Sequence, residues 1–174
     1  MSQSAPSLAR PHERYKASYI DALWEFISEG RAGTWHPEIL RRRFDEYLRV
    51  LRQAESDPLA GMVPASRFWL IGDANRYLGD VDVRHCLNEA LCRFGGHIGY
   101  NIRPSERRKG YGRLICRLGI LEARKLGISD ILITCDDDNI ASCKVIEANG
   151  GRLQDRIDNG REVLTRRYWI RSGD

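Results

Sequence analysis

Between His97 and Asp136 the sequence reads strand, glycine-bearing turn, helix, strand, and this order restricts the fold more than any other feature. HIGYNIR is a strand pattern and RPSERRKGYG a turn. GRLICRLGILEARKLG has a helical period, with Leu114, Ile115, Leu118, Leu121 and Leu126 assigned to one face and Gly127 at its end. ISDILITCD is a continuous apolar run, the kind buried on both faces of a sheet. Upstream, RFWLIG and YLGDVDVRHCL flank the turn DANR, and the second alternates apolar and polar residues as a half-buried antiparallel strand does. NEALCRFGG connects them to HIGYNIR, completing a three-strand meander. A strand–helix–strand unit inside a mostly antiparallel sheet predicts a mixed α/β (α+β) sandwich, a central sheet flanked by helices.

The remaining segments extend this plan. Residues 1–6 are small and polar and are expected to be disordered, and a short strand is predicted near Ser7–Arg10. Helical periodicity runs from His12 to Glu29, with Gly30 and Gly33 as stops. A second helix starts near Pro37 and carries Ile39, Leu40, Phe44, Tyr47, Leu48 and Leu51 as its apolar stripe. After ISDILITCD, DDNIASCKVIEANGG predicts a short helix closed by Gly150 and Gly151. RLQDRIDNGREVLTRRYWIRS predicts a hairpin turning at Asn159-Gly160. The predicted order is β-α-α-β-β-β-α-β-α-β-β, in one domain spanning 1–174.

Charge narrows the ligand. The net charge of 174 residues is only +4, too little for the basic stripe of a nucleic-acid binder. RPSERRKGYGRL nevertheless holds five basic residues, Arg103, Arg107, Arg108, Lys109 and Arg113. Such local excess points to a small anion rather than a long polyanion. Of these, Arg103 and Arg113, with Arg117 beyond, read as solvated surface. Five cysteines without a C-x-x-C pair suit neither a disulfide framework nor zinc, and read as reduced thiols. The N-terminal segment lacks the apolar stretch of a signal peptide, and no run approaches the ~18 apolar residues of a membrane span. A cytoplasmic location is expected, with no metal, nucleic-acid or membrane partner.

The position of the turn matters more than its charge. A helix start presents unpaired backbone N–H groups and the positive end of the helix dipole, and phosphate binds there readily. Gly110 and Gly112 clear side chains from that approach, and Arg107, Arg108 and Lys109 supplement it. The pattern G-x-x-x-x-G-K-[ST] is absent, and G-x-G-x-x-G fails at Ile115. What stands is R-x-x-G-x-G, from Arg107 to Gly112. With its flanking strand and helix it resembles the central motif, [QR]-x-x-G-x-[GA], of the GNAT family of acyl-CoA-dependent N-acyltransferases. Asn139, Ser142, Val145, Ile146 and Gly150 resemble the family's second motif, and the element order resembles the family's over nearly the whole chain. EFISEG, RHCLN, GGHIGY and RRYWI look like a bacterial subgroup of undefined substrate.

The resemblance implies a cosubstrate, acetyl-CoA, and positions for it. Backbone groups near Tyr100 and Ile102, on a strand that splays from its neighbour, would meet the pantetheine arm. The loop Arg107, Arg108, Lys109, Gly110, Tyr111, Gly112 and Arg113 would hold the pyrophosphate. Asn139 would contact the arm, or cap the helix that follows it, or both, and Ser142 would lie nearby. The acceptor would be a primary amine of a small molecule or peptide, attacking the thioester directly in a ternary complex. The family often places a tyrosine as general acid where this chain has Ile146, so that donor is missing; Ser142 and Cys143 are substitutes to consider. Candidate bases lie on the meander: His85 first, then His97, with Asp80, Asp82 and Glu89 also available. Glu29, Arg31, Trp35, His36 and Glu38 are candidate acceptor-site residues. Ile146 also motivates the alternative of a non-catalytic acyl-CoA-binding module, and the closing strand VLTRRYWIR offers a surface for a homodimer.

Overall fold

The computed structural model describes residues 5–31, 33–160 and 162–172. Most of the predicted disorder falls on residues 1–4, outside the described residues. One seven-stranded sheet organises these residues: β1 (Ser7–Ala9), β2 (Ala65–Ile71), β3 (Tyr77–Arg84), β4 (Ile98–Ile102), β5 (Ile131–Asp136), β6 (Arg152–Ile157) and β7 (Thr165–Ile170). Their spatial order is β1-β2-β3-β4-β5-β7-β6. Every pairing is antiparallel except β4 with β5, which the crossover helix makes parallel. The predicted mixed, mostly antiparallel sheet is therefore observed. The helices are α1 (Lys16–Ser28), α2 (Pro37–Gln53), α3 (Glu89–Phe94), α4 (Tyr111–Lys125) and α5 (Ile140–Glu147).

The sheet separates two apolar cores. On one side Tyr19, Leu40, Phe44, Tyr47, Trp69 and Tyr77 pack α1 and α2 onto β2 and β3. On the other, Ile115, Cys116, Cys143 and Ile146 pack α4 and α5 onto Val81, Val83, Ile98, Ile131 and Ile133. The alternation along β3 dictates this division: Val81 and Val83 enter the α4 core, while Asp80 and Asp82 project the other way.

Four local expectations are corrected. The buried face of α4 is Ile115, Cys116, Gly119 and Ala123, whereas Leu121 and Leu126 are exposed. Small residues define the contact because the helix lies so close to the sheet that a Cβ on Gly119 would come 2.8 Å from Val81 Cγ2. NEALCRFGG is more than a connection: Asn88 Oδ1 accepts the Leu91 N–H at 2.9 Å and caps α3. β3 stops at Arg84 instead of continuing through Leu87. The β6–β7 link runs from Asp158 to Leu164 rather than turning tightly at Asn159-Gly160, and Arg161 within it lies outside the described residues.

Candidate active site

β4 and β5 pair at one position only, Ile98 with Ile133, and then diverge. At the other edge of β4 the pairing with β3 is continuous from Ile98 to Ile102. The Arg103 N–H donates to Leu78 O on β3. Alternation along a strand turns the backbone groups of Tyr100 and Ile102 the opposite way, into the gap facing β5. The Arg107 Nε donates to Ile102 O at 3.3 Å. The splayed strand anticipated around Tyr100 and Ile102 is thus present as geometry.

The glycine turn sits at the open end of this gap. Arg108 and Gly110 both have left-handed backbones, with φ of +63° and +85°. Gly110 occupies the N-cap of α4, and a Cβ added there would meet nothing within 4 Å. A phosphate would therefore find an unobstructed helix start. Gly112 serves differently: its Cβ would stand 3.3 Å from Val145 Cγ2, so it lets α4 approach α5. Tyr111 begins the helix and packs at the edge of the core, and Arg113 is exposed on its first turn.

Three of the five cations of the turn are paired to acids, two of them far away in sequence. Arg103, expected on the surface, is buried and donates its Nε to Glu25 Oε1 at 2.7 Å and its Nη1 to Ser18 O and Oγ. Glu25 also accepts from the Ser105 N–H and hydroxyl, at 3.0 and 3.1 Å. Burial pushes the Glu25 carboxyl up, but these donors outweigh it and hold its pKa below the ordinary value. Arg107 pairs with Glu29 at 2.8 Å. Lys109 and Arg76 share the buried carboxylate of Glu106, at 2.8 and 2.6 Å. Among the described residues, Arg108 and Arg113 carry no acidic partner.

On the α5 side of the gap, Asn139 caps its helix, with Oδ1 accepting the Ser142 N–H at 3.0 Å. The Tyr100 hydroxyl crosses the gap to Ser142 Oγ at 3.4 Å. Burial raises the Tyr100 pKa, so the phenol keeps its proton. Ile146 is fully buried in the core, and Cys143 lies 3.6 Å from Cys135 sulfur to sulfur.

The two histidines lie elsewhere. Arg84, the last residue of β3, donates its N–H to His97 O, so His85 and His97 both sit at the closed end of β4. β4 spans roughly 13 Å at about 3.3 Å per residue, which separates them from the glycine turn. His85 Nε2 shares a hydrogen bond with Ser66 Oγ at 2.9 Å. His97 is buried, its Nδ1 accepts the Leu132 N–H at 3.0 Å, and burial aided by Arg84 lowers its pKa. These bonds tie the ring into the β4–β5 contact. The structure brings neither histidine to the gap.

Asp80 lines a cavity. A cavity of about 290 Å³ opens on the α1/α2 face of the sheet, lined by Tyr19, Phe26, Arg31, Trp35, Asp80 and Asn101 among others. Asp80 pairs in register with Asn101, one residue from Tyr100. Its carboxylate accepts from Asn101 Nδ2 and from Tyr77 Oη, each at 3.0 Å. Burial raises the Asp80 pKa, with Asp82 adding to the rise and Arg67 opposing it. Asp82 is not free: Arg67 holds it through two bonds of 2.5 and 2.6 Å. Glu89 is exposed on α3. Of the α1–α2 connection, Arg31 and Trp35 line the cavity, Glu29 belongs to Arg107, Glu38 to Arg41, and His36 caps α2. Trp35 packs edge-on to Tyr47 as well, so it is both wall and core. Sequence reasoning missed Tyr77, Asn101 and Arg67, whose roles depend on strand register.

Comparison with known proteins agrees with this geometry. The profile described as Acetyltransferase (GNAT) domain matches residues 13–152. No curated protein matches the sequence. Among solved structures, a ribosomal-protein-S5-alanine acetyltransferase from Vibrio fischeri superposes with a TM-score of 0.71 at 13% identity, covering 100% of this chain and 97% of that one. RimL, a ribosomal L7/L12 alpha-N-protein acetyltransferase in complex with coenzyme A, gives 0.69 at 15% identity, over 96% and 94% of the two chains. YncA from Salmonella typhimurium, a putative acetyltransferase with acetyl-CoA, gives 0.61 at 15% identity, over 97% and 94%. At these identities the superpositions speak for the fold, and the profile, spanning most of the sequence, decides the family: the chain belongs to the GNAT acetyltransferases.

Proposed function

We propose that the protein is an acetyl-CoA-dependent N-acetyltransferase acting on a primary amine in the cavity above Asp80. The observation that carries this reading is the gap between β4 and β5, with the left-handed turn of Arg108 and Gly110 at its open end. The residues fit the cosubstrate. The turn from Arg107 to Arg113 would take its pyrophosphate on backbone N–H groups, supported by Arg108 and Arg113. The gap-facing groups of Tyr100 and Ile102 would meet the amides of the pantetheine arm. Asn139 and Ser142 border the same gap. Several neighbours of the fold were determined with coenzyme A or acetyl-CoA, and that parallel supports the assignment.

Acetyl-CoA supplies an activated acyl group, and the chain supplies position and proton management. Holding both reactants in one complex removes the entropic cost of their encounter. Asp80 is the proposed base. Its raised pKa moves it toward the working range of a proton acceptor, and Tyr77 and Asn101 fix its carboxylate. A backbone N–H of the splayed strand can stabilise a developing oxyanion. Ile146 offers no proton. The Tyr100 phenol, still protonated and facing Ser142 beside the gap, is the proposed donor for a departing thiolate. His85 and His97 keep structural roles in this proposal, replacing their place as first candidates.

Calorimetry with acetyl-CoA, followed by thiol detection over a panel of amines, tests the reading. Micromolar binding and turnover of at least one amine are expected. Absence of acetyl-CoA binding would remove the assignment, and binding without turnover on any amine would leave the non-catalytic module.

A further inference from the structure

We infer that the acceptor is a free α-amino acid, its amine directed to Asp80 and its carboxylate to Arg31. This rests on the acetyltransferase reading and specifies its substrate. Three cavity residues carry charge: Arg31, Arg67 and Asp80. The charge of Arg67 is answered by Asp82 through a two-pronged pair. Arg31 has no carboxylate partner among the described residues. Its guanidinium donates to the neutral amide oxygen of Asn101 at 2.7 Å and stacks 5.1 Å from the Phe26 ring. One cation and one acid therefore remain to meet a ligand.

Asn101 shows how far apart these groups stand. Its oxygen accepts from Arg31 at 2.7 Å and its nitrogen donates to Asp80 at 3.0 Å. Bond lengths of about 1.2 and 1.3 Å put that oxygen and nitrogen roughly 2.2 Å apart. The gap from guanidinium to carboxylate is thus at most roughly 8 Å. An α-amino acid spans it. Its nitrogen and carboxylate oxygens lie about 3 Å apart from standard backbone dimensions, and each end adds a charge-assisted bond of about 2.8 Å. The polarity also matches, positive toward Asp80 and negative toward Arg31. A polyamine would set a second cation against Arg31 and Arg67. A peptide N-terminus brings no adjacent carboxylate and would leave Arg31 unanswered. The walls formed by Leu23, Phe26, Ile27 and Trp35 favour an apolar side chain. Arg31 can bind a planar carboxylate with two parallel N–H groups.

The chemistry balances. The nitrogen forms the amide bond as the thioester C–S bond breaks. The ammonium loses two protons: one leaves through Asp80 to solvent and one ends on the thiol sulfur.

The test compares, by thiol release, the twenty α-amino acids, their methyl esters, spermidine and short unblocked peptides, with acetyl-CoA binding followed by calorimetry. A free amino acid should be the best acceptor, with its ester at least tenfold poorer in kcat/KM. R31Q should lower kcat/KM for the acid tenfold or more and bring the acid-to-ester ratio toward one, and R31K should restore part of it. If an ester, a peptide or spermidine leads, or if R31Q leaves the ratio unchanged, the amino-acid assignment is overturned while the transferase stands. Silence on every amine with acetyl-CoA bound overturns both.

Discussion

Glu25→Ala offers a severe test of how the glycine turn is held. Glu25 on α1 accepts three hydrogen bonds from the segment before the turn, from Arg103 Nε and from the N–H and hydroxyl of Ser105. The Arg103 side chain is only 6% exposed, so removing Glu25 strands a buried cation. Breaking a fully buried pair in this way costs about 3–5 kcal/mol. Glu25 itself is 27% exposed, and Arg103 would keep its two bonds to Ser18. A cost of about 2–3 kcal/mol follows. At about 2–4 °C per kcal/mol for a chain of this size, Tm should fall by about 5–10 °C. Acetyl-CoA affinity should weaken by about three- to tenfold, because the turn loses its tether. The pH dependence has a definite sign. The Glu25 pKa is lower folded than unfolded, so its contribution is present above the ordinary value of 4.5 and disappears as pH falls through the folded pKa. Wild-type and variant melting curves should therefore converge in acid. Scanning calorimetry between pH 3 and 8 with acetyl-CoA titration provides the readout. A Tm within 2 °C of wild type at neutral pH, with unchanged affinity, would refute the tether.

Three further outcomes are expected. Asp80→Asn should lower kcat by about 10²–10⁴, the range of a lost general base, while acetyl-CoA binding is retained. The wild-type rate should fall in acid at a pH above the ordinary aspartate range and the variant should lose that limb. Because the Asp80 pKa is raised on folding, keeping this carboxylate ionised above the ordinary aspartate range costs stability, so the variant's Tm should hold or rise. Gly119→Ala should destabilise by about 1–3 kcal/mol through overpacking on Val81, and adding Val81→Ala should recover part of it in denaturant unfolding. Gly110→Ala meets no steric obstacle but must hold φ near +85°; a cost of about 1–2 kcal/mol should appear mainly as weaker acetyl-CoA binding in calorimetry.

The geometry of the proposed cosubstrate end was legible because its elements are contiguous. A strand, a turn with Gly110 at its left-handed N-cap and an amphipathic helix occupy one unbroken stretch. The acceptor end depends on register and distance. Asp80 meets Asn101 only because β3 and β4 pair in one register. Arg103 looked solvent-exposed because its partner lies 78 positions earlier. His85 looked well placed on the meander, yet it follows β3 at the end of β4 away from the glycine turn. The face of α4 was misjudged because leucines were weighted above Gly119 and Ala123, whereas closeness of packing favours the small residues.

The same pairing redefines what the basic turn contributes. Arg103, Arg107 and Lys109 are each answered by a carboxylate, two of which, Glu25 and Glu29, belong to the end of α1. In the proposed complex a phosphate would therefore meet chiefly backbone N–H groups, Arg108 and Arg113, and those acids fix where the N–H groups stand. The other flank of α1 carries Tyr19, Leu23, Phe26 and Ile27 into the acceptor cavity. One helix thus clamps the proposed cosubstrate turn and walls the proposed acceptor cavity. In a direct transfer, which needs both substrates held together at near-contact geometry, that shared element is what sets their separation. Under that proposal, placement of the turn relative to α1 would matter more to the reaction than the strength of its attraction for phosphate, in keeping with how much of the turn's charge is engaged by protein carboxylates.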